Sequence, residues 1–212
     1  MQPPPLSSEV NEAAMQSLLD RLRSSRVLLI LLIGGMALVL LSQQRELQRL
    51  RDHSAAQVDM LERQQELTAR AVQHLELIRK YNVPYRYLEV LADASEELDL
   101  ELEFMVGLMQ VESHFDPNAQ SHKNAYGLMQ VRYPTALELD PALRSFWQLF
   151  EPERNIRLGA LYFRKLLDRY DGDYRMAALA YNRGPNRLEG ELLIGEVSDR
   201  YYRKIMTAGI VD

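Results

Sequence analysis

Eighteen consecutive residues without a charge, Val27 to Gln44, constrain what this chain can fold into more than any other feature. Fifteen of them, VLLILLIGGMALVLL from Val27 to Leu41, are apolar or glycine. As a helix rising about 1.5 Å per residue the stretch is roughly 27 Å long, just enough for a bilayer core of about 30 Å. The rivals are a cleaved signal peptide and a buried core helix. The flank Leu41-Ser42-Gln43-Gln44 has no small-x-small cleavage site, and a core helix would carry a polar face that this run lacks. A transmembrane anchor over residues 27–44 is therefore expected, after a short tail over 1–26 whose first five residues, with three prolines, should be extended. Arg21, Arg23 and Arg26 on one side face Arg45, Arg49 and Arg51 on the other, so charge alone does not orient the helix.

Proline and glycine divide the rest. No proline lies between Leu6 and Val83, whereas Pro84 onward carries six prolines and eight glycines. Residues 45–80 read as a helical stalk and residues 81–212 as a folded domain. In a heptad frame Leu47, Ser54, Leu61, Thr68 and Leu75 share one seam position, and Leu50, Gln57, Gln64, Ala71 and Ile78 the other. Only five of these ten are large and apolar, which is compatible with a weak parallel coiled coil and homodimer, or equally with a solvated spacer helix. From Tyr81 onward fifteen basic residues stand against twenty-one acidic ones, a balance that argues against a nucleic-acid partner. The chain has no cysteine, which excludes disulfides, thiolate metal sites and a lipidated N-terminal cysteine.

The domain reads as all-α. Leu88, Leu91, Ala92 and Leu98 mark one amphipathic helix, and Asp99 is positioned to cap a second with Glu101 and Glu103 in its first turn. Phe104 to Val111 in that second helix is almost entirely apolar and should be buried. Glu112 then falls on the face of Phe104 and Leu108 at four-residue steps. A glutamate in that place either turns to solvent or is desolvated against an apolar wall, which raises its pKa toward what a general acid near neutral pH needs.

Four segments carry a family resemblance: Glu112-Ser113 with Phe115-x-Pro117-Asn118-Ala119-x-Ser121; Gly127-Leu128-Met129-Gln130-Val131; Asn155-Ile156-x-x-Gly159-x-x-Tyr162; and Ala180-Tyr181-Asn182-x-Gly184-Pro185. In order and spacing they resemble lytic transglycosylases of the soluble, goose-lysozyme-like type, over about Val83 to Ala208. The resemblance implies a lysozyme-like helical catalytic domain with Glu112 as acid and base. It also implies that Ser121, Gln130, Tyr181 and Asn182 orient the acid or touch the sugar, with Met129 beside them as a substrate contact. Hydroxyl, amide and phenol groups suit that task without adding charge, while Ser121 and Asn182 could equally cap turns and Tyr181 could equally pack. Gly127 and Gly159 read as architectural, the second as a close helix crossing. Two positions depart from the family: Arg132 replaces a methionine bordering the cleft, and Arg183 an alanine; both side chains are expected to extend to solvent.

Ordinary glycosidases use two carboxylates. The matched motifs supply one, because Asp116 precedes Pro117 in a turn, where aspartate usually caps backbone. One carboxyl fits a reaction in which the muramyl 6-hydroxyl attacks its own anomeric carbon, leaving a 1,6-anhydro ring. The resemblance thus implies peptidoglycan glycan strands as substrate, the β-1,4 bond between N-acetylmuramic acid and N-acetylglucosamine as target, no cofactor and no metal. His114 and His122 lack a third ligand in the sequence. A bacterial cytoplasmic-membrane protein with its catalytic domain outside is the expected location. A lysozyme-type hydrolase using Asp116, and an inactive peptidoglycan-binding scaffold, are the alternatives.

Overall fold

The computed structural model describes residues 8–195 and 197–209; the extended start expected at residues 1–5 lies outside them. Proline-free sequence gives one helix, α1, from Ser8 to Tyr81. The chain falls into two units, Met1–Leu67 and Thr68–Asp212. In the first, every described side chain from Glu12 to Leu67 is exposed. α1 includes a segment with mean hydropathy 2.3 and no buried residue, long and apolar enough by length and composition to cross a membrane. An apolar run with no buried residue is the reverse of what a core helix of a soluble domain shows. The seam residues Leu47, Leu50 and Leu61 are likewise exposed.

The second unit is all-α apart from one two-residue hairpin. Its helices are α2 (Tyr85–Glu97), α3 (Leu102–Ser113), α4 (Tyr133–Leu139), α5 (Pro152–Arg169), α6 (Tyr174–Arg183), α7 (Pro185–Leu193) and α8 (Arg200–Met206), with a 3₁₀ turn at Phe146–Phe150 before α5. The antiparallel hairpin pairs β1 (Ala125–Tyr126) with β2 (Val131–Arg132). α5 is the hub, packing on α2, α4, α6 and the 3₁₀ turn. It presents Ile156, Phe163, Leu166 and Leu167 to the core, the three- and four-residue spacing of an amphipathic helix. It ends just before Asp171-Gly172, where the Gly172 N–H donates to the Leu167 carbonyl, 2.9 Å.

The compact unit begins earlier than the change in composition at Tyr81. His74 and Leu77 on the last turns of α1 are 6% and 4% exposed, with Tyr81 at 5%. Lys80 pairs with Glu103 at 2.7 Å, and Arg70 with Asp93. The stalk pattern misses this because the buried side chains are too few to stand out against the exposed ones. A protein starting at residue 81 loses Leu77 and Ile78 from the core, and burying one such side chain contributes about 1.5–3 kcal/mol. Urea unfolding should find it about 2–4 kcal/mol less stable than one starting at residue 68; equal midpoints would mean that these turns do not contribute to the core.

Asp99 does not cap α3. It closes the preceding turn in the left-handed region, at φ 50°, and Glu101 holds the N-cap position without a side-chain cap. The free Glu101 N–H donates instead to the Tyr174 hydroxyl on α6, 2.8 Å, a partner from a distant part of the chain.

Candidate active site

α3 runs through the middle of the core, with Phe104 to Met109 all buried, so any side chain at its C-terminal end is carried on a fixed rod. Four-residue steps from Phe104 and Leu108 bring Glu112 to the edge of that core, half-buried. There it lines a cleft of about 300 Å³ together with Ser121, Gln130, Tyr181 and Asn182. Glu112 is the only carboxylate among the described residues that line it. Desolvation lifts its pKa from the ordinary 4.5 to about 7, opposed by one hydrogen bond from Tyr201. Near neutral pH the group is thus poised between acid and base, which is what proton transfer in both directions requires.

The Tyr201 hydroxyl donates to Glu112 Oε1. Tyr201 sits on α8, 89 residues away in sequence; it is absent from the matched motifs, and no local signal marks it. Gly107 permits the contact: a Cβ there would lie 2.9 Å from the Ile205 carbonyl oxygen, so only glycine lets α8 lie this close to α3. Burial holds the phenols of Tyr201 and Tyr181 well above the ordinary tyrosine range, and the Glu112 charge adds to this, so both remain donors. Tyr201→Phe removes the one interaction that lowers the Glu112 pKa. The alkaline limb of the activity profile should move to higher pH, and the rate should fall about 10–100-fold, the worth of a hydrogen bond to a charged group. An unshifted limb would separate Tyr201 from Glu112 ionisation.

The rest of the wall is built by the loop after α3. His114 and Phe115 adopt left-handed conformations, at φ 53° and 64°, turning the chain out of the helix. Asp116 Oδ1 accepts the Asn118 N–H at 2.9 Å; it caps its turn and does not line the cleft. Ser121 lines the cleft and also accepts the Lys123 and Ala125 N–H groups at 3.3 and 3.1 Å. Gln130 Nε2 donates to the carbonyls of Ala119 and Gly127, at 3.0 and 2.9 Å, so its amide holds the loop while bordering the cleft. Gly127 lies at φ 74°, and a Cβ on it would collide with the Leu149 carbonyl and Asn155.

Tyr181 and Asn182 come from the last turn of α6, before Gly184 and Pro185 close that helix and open α7. The Tyr181 hydroxyl donates to the Met129 carbonyl at 2.7 Å, and its ring packs on Tyr162, 5.3 Å between centroids. Tyr162, the last residue of the third motif segment, also borders the cleft. Met129 does not: its side chain is fully buried, pressed where a Cβ on Gly159 would stand. Met129 therefore meets Tyr181 through its backbone carbonyl, and Gly159 makes room for this methionine rather than for a second helix. The cause is Asn155, itself fully buried. Its Oδ1 accepts the Met129 N–H at 2.7 Å, and its Nδ2 donates to the Tyr126 and Leu149 carbonyls at 2.8 Å each.

Of the two departing arginines, Arg132 is exposed on the cleft, as expected. Arg183 is not extended. It turns back to pair with Glu191 and donates to the Ser198 carbonyl at 2.5 Å. A nearby carboxylate outcompetes water for the guanidinium. Among the described residues, no three His, Asp or Glu side chains converge as a metal site would require.

Residues 89–194, half the chain, match the model of the Transglycosylase SLT domain. Membrane-bound lytic murein transglycosylase C of Serratia proteamaculans is 37% identical over 94 residues, covering 42% of this chain and 26% of that protein. A putative soluble lytic murein transglycosylase of Haemophilus influenzae is 32% identical over 126 residues, covering 58% of this chain and 21% of that one. The chain spans about a quarter of the length of these relatives. Among solved structures, an inactive mutant of lytic transglycosylase Slt from Pseudomonas aeruginosa superimposes with TM-score 0.52 at 25% identity, over 57% of this chain and 23% of that one. The 70 kDa soluble lytic transglycosylase of Escherichia coli, at 22% identity and TM-score 0.53 over 59% and 24%, shares the fold. With its helical unit, its four motif segments gathered around one cleft and a family match across half its length, this chain belongs to the Transglycosylase SLT domain family.

Proposed function

We propose that the chain is a membrane-anchored peptidoglycan lytic transglycosylase that cleaves the β-1,4 bond between N-acetylmuramic acid and N-acetylglucosamine and leaves 1,6-anhydromuramyl ends. The observation that carries this reading is a single carboxyl with its pKa near 7, in a cleft otherwise lined by neutral or cationic groups. Protonated Glu112 gives its proton to the glycosidic oxygen as the bond to the anomeric carbon breaks, and the substrate's N-acetyl oxygen stabilises the cation. Glu112, now a carboxylate, takes the proton of the muramyl 6-hydroxyl, whose oxygen closes on the anomeric carbon. Glu112 ends protonated, as it began, and no water is consumed. Ser121, Gln130, Tyr181 and Asn182 supply the uncharged hydrogen-bonding wall that would hold the sugar.

A hydrolase needs a second carboxylate to activate water. Asp116, the nearest candidate in sequence, is engaged by its own turn. Mass analysis of the products from purified peptidoglycan tests the proposal. Anhydro ends support it, reducing ends would replace it with a lysozyme, and intact strands would favour a binding scaffold.

Peptidoglycan lies outside the cytoplasmic membrane. The apolar segment of α1 would then span that membrane once, N-terminus inside, with the stalk and catalytic unit outside. Alkaline phosphatase fused after Asp212 should be active; a stable but inactive fusion would reverse the orientation. The exposed seam leucines of the stalk also leave room for a homodimer, to be read from sedimentation in detergent.

A further inference from the structure

α1 carries a repeat of eleven residues that the heptad frame hides. Apolar side chains three residues apart stand at Met36 and Val39, Leu47 and Leu50, and Val58 and Leu61, each pair eleven residues after the last. Four residues beyond each pair comes an uncharged polar residue, Gln43, Ser54 or Gln65. At about 100° per residue the six apolar side chains form a stripe about 100° wide along the helix. Each is more than half exposed. Between Leu47 and Leu61 the eleven-residue frame puts four apolar residues on five seam positions and the heptad frame three, the difference being Val58 against Gln57. Eleven residues are three turns of about 3.67, close to a straight helix, so two such helices pair with a slight right-handed coil.

The spacing recurs in sequence at Ala69 and Val72, inside the second unit. There His74, Leu77 and Tyr81 face the core, while Val72, about 140–180° away around the helix, is exposed. The catalytic unit therefore leaves the seam face of its own last α1 turns uncovered. Charge marks the flanks of the stripe. Glu46 and Arg51 lie five residues apart on opposite sides of it, the spacing at which a parallel pair of helices exchanges ion pairs. Two-fold symmetry makes that contact twice, Glu46 of each copy with Arg51 of the other. Within one chain Glu46 is near Arg49 at 4.0 Å, and Arg51 has no ion pair among the described residues.

We propose that α1 pairs in parallel and in register with α1 of a second copy along this eleven-residue seam. Lipid is as apolar as the side chains, so Met36 and Val39 gain little by pairing in the membrane. Leu47, Leu50, Val58 and Leu61 otherwise face water and supply the drive. The pairing gives a seam and a register to the homodimer left open above. Its parallel sense rests on the anchored reading, because insertion in one orientation aligns the copies and confines them to one plane.

The chain has no cysteine, so each one introduced reports alone. Leu50→Cys, Gln57→Cys, Val58→Cys and Leu61→Cys, with Ala56→Cys and Arg63→Cys on the far side of the helix, are made singly in the full chain and oxidised in cell membranes with copper phenanthroline. Leu50→Cys, Val58→Cys and Leu61→Cys should give disulfide-linked dimers. Ala56→Cys and Arg63→Cys should stay single chains, since a disulfide needs Cα atoms within about 7 Å. Val58→Cys should link more than Gln57→Cys; the reverse order restores the heptad frame and overturns this one. Links that do not distinguish the two sides of the helix, or none at all, overturn the pairing. Leu50→Asn with Leu61→Asn, both on exposed positions, should lower the sedimenting mass in detergent from two chains to one and leave strand cleavage unchanged. An unchanged mass overturns the seam. Protein recovered in the soluble fraction fails the anchor instead, and the purified chain then decides the seam by the same oxidation and the same mass.

Discussion

Glu112→Gln should abolish strand cleavage while making the folded domain more stable at neutral and alkaline pH. Glutamine keeps the size of the side chain but neither delivers nor takes a proton, and general acid–base transfer contributes about 10²–10⁴-fold to rate. In the proposed mechanism one residue serves both steps, so the loss should lie at the upper end of that range. The stability effect has the opposite sign. With the folded-state pKa near 7 and the ordinary value 4.5, the unfolded chain gives up the Glu112 proton first as pH rises. Stability is therefore lost between about pH 4.5 and pH 7. Above that window the wild type carries a penalty of about 3 kcal/mol that glutamine escapes, at about 1.36 kcal/mol per pKa unit. Below it the two proteins should unfold alike, because the carboxyl is then neutral in both states. Turnover above about a tenth of wild type would contradict a lone proton-transfer group. Equal stability of the two proteins at both pH 4 and pH 8 would contradict the desolvated environment.

Asn155→Ala should be the most damaging single change outside the catalytic group. It strips partners from the Met129 N–H and from the Tyr126 and Leu149 carbonyls, in a site with no exposed surface. Leaving a buried polar group unsatisfied costs about 1–3 kcal/mol, so three such groups should cost about 3 kcal/mol or more. Domains are stable by only about 5–15 kcal/mol, so a large part of that margin would be lost. Activity should fall with it, because the same three bonds hold the hairpin that carries Gln130 and the carbonyl that receives Tyr181. The single tryptophan, Trp147, packs on Phe146 and Phe150, both of which contact Tyr126. Its fluorescence in urea reports this region directly. An unchanged midpoint would show that the three groups find other partners.

Some of this molecule is written in local pattern. The apolar run at Val27–Leu41 specifies a helix with no polar face because chain length and side-chain type alone decide it. Glu112 is legible because four-residue steps along α3 place it on the face of Phe104 and Leu108, and helix geometry needs no distant information. The cap by Asp116 comes from the same short-range chemistry, as does the stop of α5 at Asp171-Gly172. Where residues far apart in sequence meet, pattern is silent. Tyr201 reaches Glu112 only because Gly107 lets α8 close on α3. Met129 is drawn into the core by Asn155 and the space at Gly159, and Arg183 folds back because α7 brings Glu191 beside it. Tyr174 takes the N–H that Asp99 was expected to cap, and the last turns of α1 join the core through His74 and Leu77. Each of these contacts depends on which helix packs against which. A one-dimensional sequence records the residues but not their meeting, so local propensity determined the elements and placed Glu112 at the end of α3, while tertiary packing decided what surrounds that carboxyl and sets its pKa.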